Sequence, residues 1–229
     1  MKLITLTTDF KDQFAAAQVK AVATGLGFTG QLIENHFVTP FSITEGAFQI
    51  QTLARYCPTD TIHVGVVDPG VGSKRKGIII KTKKSWLVGP DNGLLWPACR
   101  QAGRLQVWQI NESQFNKVSA TFHGRDIFIK AAVWLSQGKS PLSFGCKSIS
   151  KISKLEFKEG QIVHIDCYGN AKIWGNGHLK LPKVKTFSEL TPGAPGLVWG
   201  SSDTWEIVIN QASAADKFGL KLGQIVKNL

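Results

Sequence analysis

The chain has 229 residues, 43% of them hydrophobic and 19% charged, which excludes a disordered or fibrous protein and supplies enough apolar surface for one large core or two modest ones. Against 16 Asp and Glu stand 27 Lys and Arg, a net charge of +11 that leaves nucleic acid, an anionic membrane surface or an acidic ligand open as partners. No apolar run approaches the length of a membrane span, and the opening MKLITLTTDF lacks the long apolar stretch of a signal peptide, so a cytoplasmic protein without a membrane partner is expected.

In chain order, β-branched apolar runs alternate with helix-compatible stretches: strands are predicted over 3–7, 31–34 and 61–67, and helices over 13–25 and 44–55. That alternation predicts βαβ units and an α/β fold with a mostly parallel sheet. Residues 77–82 and 85–88 add strands, 94–101 a short helix, and 124–137 an amphipathic helix. After Pro141 a stretch rich in Lys and Ser leads into short strands over 161–166, 171–174, 197–199 and 205–209, separated by Gly, Pro and Asn turns. The expectation is an α/β domain over 1–150 and a smaller all-β domain over 151–229.

Cys57, Cys99, Cys146 and Cys167 are widely spaced, with no CxxC pair and no Cys/His cluster at zinc spacing, so reduced, buried thiols and no metal site are expected. The lysines fall in small groups (Lys81, Lys83 and Lys84; Lys147, Lys151, Lys154 and Lys158; Lys180, Lys183 and Lys185) among polar residues. With no basic helix and no RNP-like aromatic signature, a solvated surface is preferred over a nucleic-acid partner.

Ligands of open α/β sheets bind beyond the carboxyl ends of the strands. Two acids stand there: Asp9, ending the first strand, and Asp68, which opens the loop Asp68-Pro-Gly-Val-Gly-Ser-Lys-Arg75. Such a carboxylate can grip a ribose diol or cap the next turn, and each residue taken alone fits both readings. No GxGxxG or GxxxxGK[ST] occurs, and neither HExxH nor GxSxG, which favours a ligand without phosphates and weakens zinc-protease and hydrolase-elbow readings. Three polar clusters interrupt apolar context: Gly89-Pro-Asp91-Asn92-Gly93, Phe122-His123-Gly-Arg125-Asp126 and Asp166-Cys-Tyr-Gly-Asn170. The first reads as a structural turn. The second opens a helix that Asp126 can cap, leaving His123 either catalytic or a plain helix start. His36, His63, His164 and His178 show no ligand spacing, and His63 and His164 lie in strands as structural residues.

Taken in order, Thr5-Leu-Thr-Thr-Asp9-Phe10, His63-Val-Gly-Val-Val-Asp68-Pro-Gly-Val-Gly72, Gly89-Pro-Asp91-Asn92-Gly-Leu94, Phe122-His123-Gly-Arg125-Asp126-Ile-Phe128, Ile165-Asp166-Cys-Tyr-Gly169-Asn170 and the segment from Gly200-Ser201-Ser202 to Ala214-Ala215 resemble one family across essentially the whole chain. It is the S-adenosylmethionine (SAM) hydroxide adenosyltransferase family, related to the SAM-dependent fluorinases and chlorinases. The resemblance implies an N-terminal α/β and a C-terminal β domain, a homotrimer with SAM between domains of neighbouring subunits, and hydrolysis of SAM to adenosine and L-methionine without a cofactor. By motif position it implies Asp68, Arg75 and His123 as the water-activating set. It further implies Asp9 on the ribose hydroxyls, Phe41 near the ligand, Asp166 on the methionine amino group, Asn170 on adenine, and Ser201 and Ser202 at the methionine carboxylate. Asp12 is expected to reach the methionine end.

The first motif departs from the family pattern: Lys11 stands in place of a Gly, and the segment to Asp12 is two residues shorter. Two rival readings are a SAM-dependent halogenase, which Asp68 disfavours by repelling an anion, and a basic protein that binds SAM, adenosine or nucleic acid without turnover.

Overall fold

In the computed structural model, residues 2–176, 179–227 and 229 are described; His178 lies outside them. The chain divides into two compact units, Met1–Leu155 and Glu156–Leu229.

The first unit is built on seven strands: β1 (Leu3–Thr8), β2 (Gln31–Asn35), β3 (Thr61–Val66), β4 (Gly77–Lys81), β5 (Ser85–Pro90), β6 (Gln106–Gln109) and β7 (Lys147–Ser148), in the order β2-β1-β3-β5-β4-β6-β7. β2, β1, β3 and β5 are mutually parallel; β4, β6 and β7 continue the sheet through antiparallel pairings. The helices are α1 (Gln13–Gly25), α2 (Ile43–Tyr56), the single turn α3 (Trp96–Cys99) and α4 (Ile129–Ser136), with a π-helical turn over Gly124–Phe128 leading into α4.

Local chemistry explains these boundaries. Asp12 caps α1 by accepting the Ala15 N–H at 2.6 Å, and an alanine-rich run carries the helix. Ser42 caps α2 through the Glu45 N–H, and Glu45 reaches back to the Thr39 N–H at 2.6 Å, a variant of the capping box. The helix expected over 94–101 shrinks to α3 because Pro97 can sit only in its first turn and the segment then turns through Gly103 at φ 72°. Strand residues alternate between two buried faces. Ile4, Leu6, Val64 and Val66 pack with Val19 of α1 and with Ile129 and Ala132 of α4. On the other face, a side-chain carbon added at Gly65 would lie 2.6 Å from Ile50 of α2 and 2.9 Å from Leu94. The near-continuous burial of β1 and β3 is what a sheet covered on both faces demands.

His63 lies within this covered sheet, 1% exposed, with Nδ1 2.8 Å from Thr5 Oγ1. Its Nε2 is buried with no hydrogen-bond partner among the described residues. Burial, assisted by Lys84, pushes its pKa down to about 4 from 6.5. The folded chain therefore keeps His63 neutral where the unfolded chain would protonate it. The stabilisation is complete above pH 6.5 and is lost as the pH falls through the window down to about 4, by about 3 kcal/mol at about 1.4 kcal/mol per pH unit. Urea unfolding followed across that window should show the parent losing stability with acid more steeply than His63→Gln. Equal slopes would remove His63 as the cause.

The second unit holds β8 (Ile162–Ile165), β9 (Ala171–Ile173), β10 (Lys183–Val184), β11 (Pro195–Trp199) and β12 (Trp205–Ile209), in the order β10-β11-β12-β9-β8, antiparallel except for β10 and β11. Ile162, Ile173, Leu197, Ile207 and Ile209 form its core. This unit is not purely β: α5 (Ala214–Phe218) follows β12, capped by Ser213 and ended by Gly219 at φ 60°. Cys57, Cys99 and Cys146 are buried free thiols, whereas Cys167, expected to be buried as well, is exposed on the β8–β9 turn.

Candidate active site

β1 and β3 are neighbouring parallel strands with Thr8 opposite Val66, so the segments that leave their carboxyl ends carry Asp9 and Asp68 to the same edge of the sheet. Asp9 does not cap a helix. Its Oδ2 accepts the N–H of Phe41 at 2.8 Å, tying the loop after β1 to the loop before α2. Phe41 sits at φ 65°, a conformation that a residue with a Cβ adopts at a cost of about 1–2 kcal/mol, and its ring is 73% exposed. Phe10 stacks on His36 (ring centroids 6.2 Å apart) and meets Phe122 edge-on at 5.5 Å.

The loop after β3 turns through Val71 N–H to Asp68 C=O and Ser73 N–H to Gly70 C=O. Gly72, at φ 75°, is required here: a Cβ on it would lie 2.4 Å from the Ala120 carbonyl oxygen. That close approach brings the loop against residues 120–123, and it is how Arg75 meets a histidine 48 positions later. Arg75 Nε donates to both oxygens of Asp68 at 2.9 Å, and Nη2 donates to Asp68 Oδ2 and to His123 Nδ1 at 2.8 Å. The guanidinium also lies over the Phe128 ring, 5.3 Å from its centroid. All three side chains are nearly enclosed, at 5% exposure for Asp68, 9% for Arg75 and 6% for His123. Burial first, then the Arg75 charge, push the His123 pKa below 6.5, opposed by Glu112, Asp68 and Asp126.

Arg75 can only donate hydrogen bonds, so His123 Nδ1 is the acceptor and the ring's single proton sits on Nε2. His123 begins the π-helical turn without capping it, and such turns concentrate at functional sites. Asp126, expected as a cap, instead accepts the Ser119 N–H and a two-nitrogen contact from its neighbour Arg125. Asp9, Phe41, Asp68, Phe122 and His123 line one cavity of about 120 Å³. The structure thus gathers Asp68, Arg75 and His123 into one cluster and places Asp9 and Phe41 on the cavity wall. Asp12 spends one carboxylate oxygen on the α1 cap and does not line that cavity. Phe10 and Phe122, which line the cavity, carry no sequence signal beyond their place beside Asp9 and His123. Asp91 and Asn92 are structural, as read: Asn92 donates to the Val67 carbonyl and Asp91 accepts the Ser153 N–H.

In the second unit, Asp166 organises the β8–β9 turn. Its Oδ1 accepts the N–H groups of Tyr168 and Asn170, and its Oδ2 accepts the Asn170 side-chain amide at 3.0 Å. Gly169, at φ 81°, passes so close to Ser213 that a Cβ would overlap its hydroxyl. Asn170 lines a cavity of about 500 Å³ with Tyr168, Phe187, Asn210 and Ser213. Ser201 and Ser202 lie in the β11–β12 turn, beyond the Trp205–Ile173 end of the β9–β12 ladder, while Asn170 lies beyond its Ala171–Ile207 end. Within one copy of the chain the structure does not bring the two serines to Asp166 and Asn170.

A carboxylate–guanidinium–imidazole cluster enclosed at the carboxyl edge of parallel strands, beside an aromatic-walled cavity, defines an α/β enzyme that acts on a small molecule. The chain belongs to the SAM hydroxide adenosyltransferase family: residues 4–145 match the family's N-terminal domain and residues 160–227 its C-terminal domain. It is 30% identical over 249 residues to the (R)-S-adenosyl-L-methionine hydrolase of Salinispora tropica, covering 96% of this chain and 95% of that one. It is 33% identical over 179 residues to the protein of the same name from Methanocaldococcus jannaschii, a match that spans 74% of this chain and 65% of the relative. An uncharacterized conserved protein from Thermotoga maritima shares the fold, with a TM-score of 0.85 at 24% identity over 96% of this chain and 97% of that one.

Proposed function

We infer that this protein hydrolyses S-adenosyl-L-methionine to adenosine and L-methionine by attack of water on C5′ of the ribose. The observation that carries the reading is the Asp68–Arg75–His123 cluster, whose Asp68 and His123 line one cavity together with Asp9 and Phe41. The sulfonium makes methionine a neutral leaving group, so its departure needs no general acid, and the C–S electron pair stays on sulfur. What remains is to orient a water and take its proton. With His123 Nδ1 occupied by Arg75, the acceptor left within the Asp68–Arg75–His123 cluster is the Asp68 carboxylate, and the protonated nitrogen of His123 is the one that can orient the water oxygen. In this reading Arg75 is a positioning residue that fixes both partners. Asp9, whose second oxygen is not taken by Phe41, holds the ribose hydroxyls, and the Phe41 ring lies against the adenosyl group. In the same reading Asp166 and Asn170 contribute the methionine-amino and adenine contacts, Ser201 and Ser202 the methionine-carboxylate contact from the β11–β12 turn, and Asp12, one of whose oxygens caps α1, reaches the methionine end.

The reading includes a cytoplasmic homotrimer that works without a cofactor. Support for assembly is the exposure of Phe14, Phe37 and Phe41, at 75%, 80% and 73%, large apolar side chains that a partner would cover. No helix among the described residues is long and apolar enough to cross a membrane.

Incubation of the purified protein with SAM in ¹⁸O-water, with chromatography and mass spectrometry of the products, tests the activity. Equimolar adenosine and methionine, with the label in the 5′-hydroxyl, is the expected result. A 5′-halogenated nucleoside on adding chloride would make the protein a halogenase instead, and no product with SAM bound would reduce it to a binding protein.

A further inference from the structure

β4 and β6 are antiparallel, with Ile78 opposite Gln109 and Lys81 opposite Gln106, and the ladder continues through the Ile110 N–H to the Gly77 carbonyl at 2.8 Å. Carrying that register two residues further sets Glu112 across from Arg75. Glu112 is fixed there as the first residue of a one-turn 3₁₀ helix over Glu112–Gln114, whose preceding Asn111 caps it by accepting the Ser113 N–H and hydroxyl.

Arg75 gives Nε and Nη2 to Asp68 and His123, but its Nη1 is buried and has no hydrogen-bond partner among the described residues. The carboxylate that faces this nitrogen is Glu112, with Oε1 3.9 Å from Arg75 Nη1 and 3.8 Å from His123 Nδ1. We propose that Glu112 is a positioning residue of the active site: its carboxylate holds the edge of the Arg75 guanidinium that Asp68 leaves free and fixes the charge that His123 experiences.

The proposal rests on the reading of Asp68, Arg75 and His123 as the water-activating set. The charges around His123 are those of Arg75, Glu112, Asp68 and Asp126, and Asp126 is already neutralised by Arg125. At His123 the Arg75 charge outweighs that of its hydrogen-bonded partner Asp68. Glu112 is the strongest charge opposing it, and it favours protonated His123 against burial and Arg75. Glu112 is 41% exposed and opens, with Arg75, onto a polar cavity of about 390 Å³, so solvent screens the interaction.

The sign of the effect follows. His123 must be neutral to accept the Arg75 N–H, so activity falls on the acid side as His123 takes a proton. Removing the Glu112 charge makes that proton harder to bind, and the acid limb of the pH–rate profile moves to lower pH. At a separation of 3.8 Å with water-like screening the shift is about half to one pH unit. Loss of the clamp on Nη1 lowers kcat by about two- to fivefold at the pH optimum, the range for a partly exposed ion pair.

The test compares the intact parent with Glu112→Gln and Glu112→Asp in two measurements: SAM hydrolysis across pH, and an NMR titration of the His123 ring that needs no turnover. Support is a lower His123 pKa and a lower acid limb in Glu112→Gln, with kcat reduced, KM within twofold, and partial return of all three in Glu112→Asp. A His123 titration that does not move overturns the proposal, as does a loss of kcat in Glu112→Gln with an unmoved acid limb and a lowered melting temperature, the mark of a purely structural turn. A parent that forms no adenosine defeats the hydrolase reading alone; the titration still decides whether Glu112 governs His123.

Discussion

Asp68→Asn should abolish measurable SAM hydrolysis, lowering kcat by about 10²- to 10⁴-fold, the range for loss of a positioned proton acceptor, while KM changes little. The substitution keeps the shape of the side chain but presents an amide donor or a neutral oxygen where Arg75 Nε and Nη2 now meet a carboxylate. With Asp68 5% and Arg75 9% exposed, the guanidinium loses its buried partner and keeps only the solvent-screened Glu112, so the variant should also lose about 1–3 kcal/mol of stability. The Arg75 charge, no longer offset by Asp68, further opposes protonation of His123, so no shift of pH restores the rate. Chemical denaturation and the activity assay, run on the same sample well below its melting point, separate the two effects. An Asp68→Asn protein that is destabilised yet turns over SAM at near the parent rate would move the proton acceptor elsewhere and leave Asp68 a structural partner of Arg75.

The parts of the molecule that were legible in the sequence are those where one local rule decides. Residues 3–7 and 61–67 are apolar and β-branched because β1 and β3 are covered on both faces, and the capped, alanine-rich run of α1 begins and ends where its sequence does. β6 went unread: Gln106-Val-Trp-Gln109 is four residues long, with no period to measure, and β7 is two exposed polar residues that exist only because β6 offers them an edge. The consequence reached the active site. Without β6 there is no register to set Glu112 opposite Arg75, and Asn111-Glu112-Ser113 reads as any capped turn. The Arg75–His123 contact was likewise invisible to local pattern, since it depends on Gly72 passing within van der Waals distance of Ala120. Motif resemblance named both residues; only the fold shows that one donates to the other. Asp12 is the reverse case: a carboxylate just before an apolar-periodic run is the ordinary signature of a helix cap, and the structure uses it so.

Arg75→Lys should reduce kcat by about a hundredfold while leaving the acid limb of the pH–rate profile near its parent position. Lysine keeps the positive charge beside His123 but offers one compact ammonium in place of a planar fork, so it cannot contact both Asp68 oxygens, reach His123 Nδ1 and lie over Phe128 together. The loss is one of geometry: a base and a hydrogen-bond donor no longer held in line around one water. Arg75→Met removes the charge as well. Because Arg75 is, after burial, the strongest influence holding the His123 pKa down, its removal should move the acid limb toward higher pH, opposite to the shift expected for Glu112→Gln. Measured pH–rate profiles of the three variants therefore form a signed set. If Arg75→Lys retains near-parent kcat, the fork geometry is irrelevant and Arg75 acts only as a charge; if Arg75→Met and Glu112→Gln shift the limb in the same direction, His123 is not the group whose protonation limits the reaction.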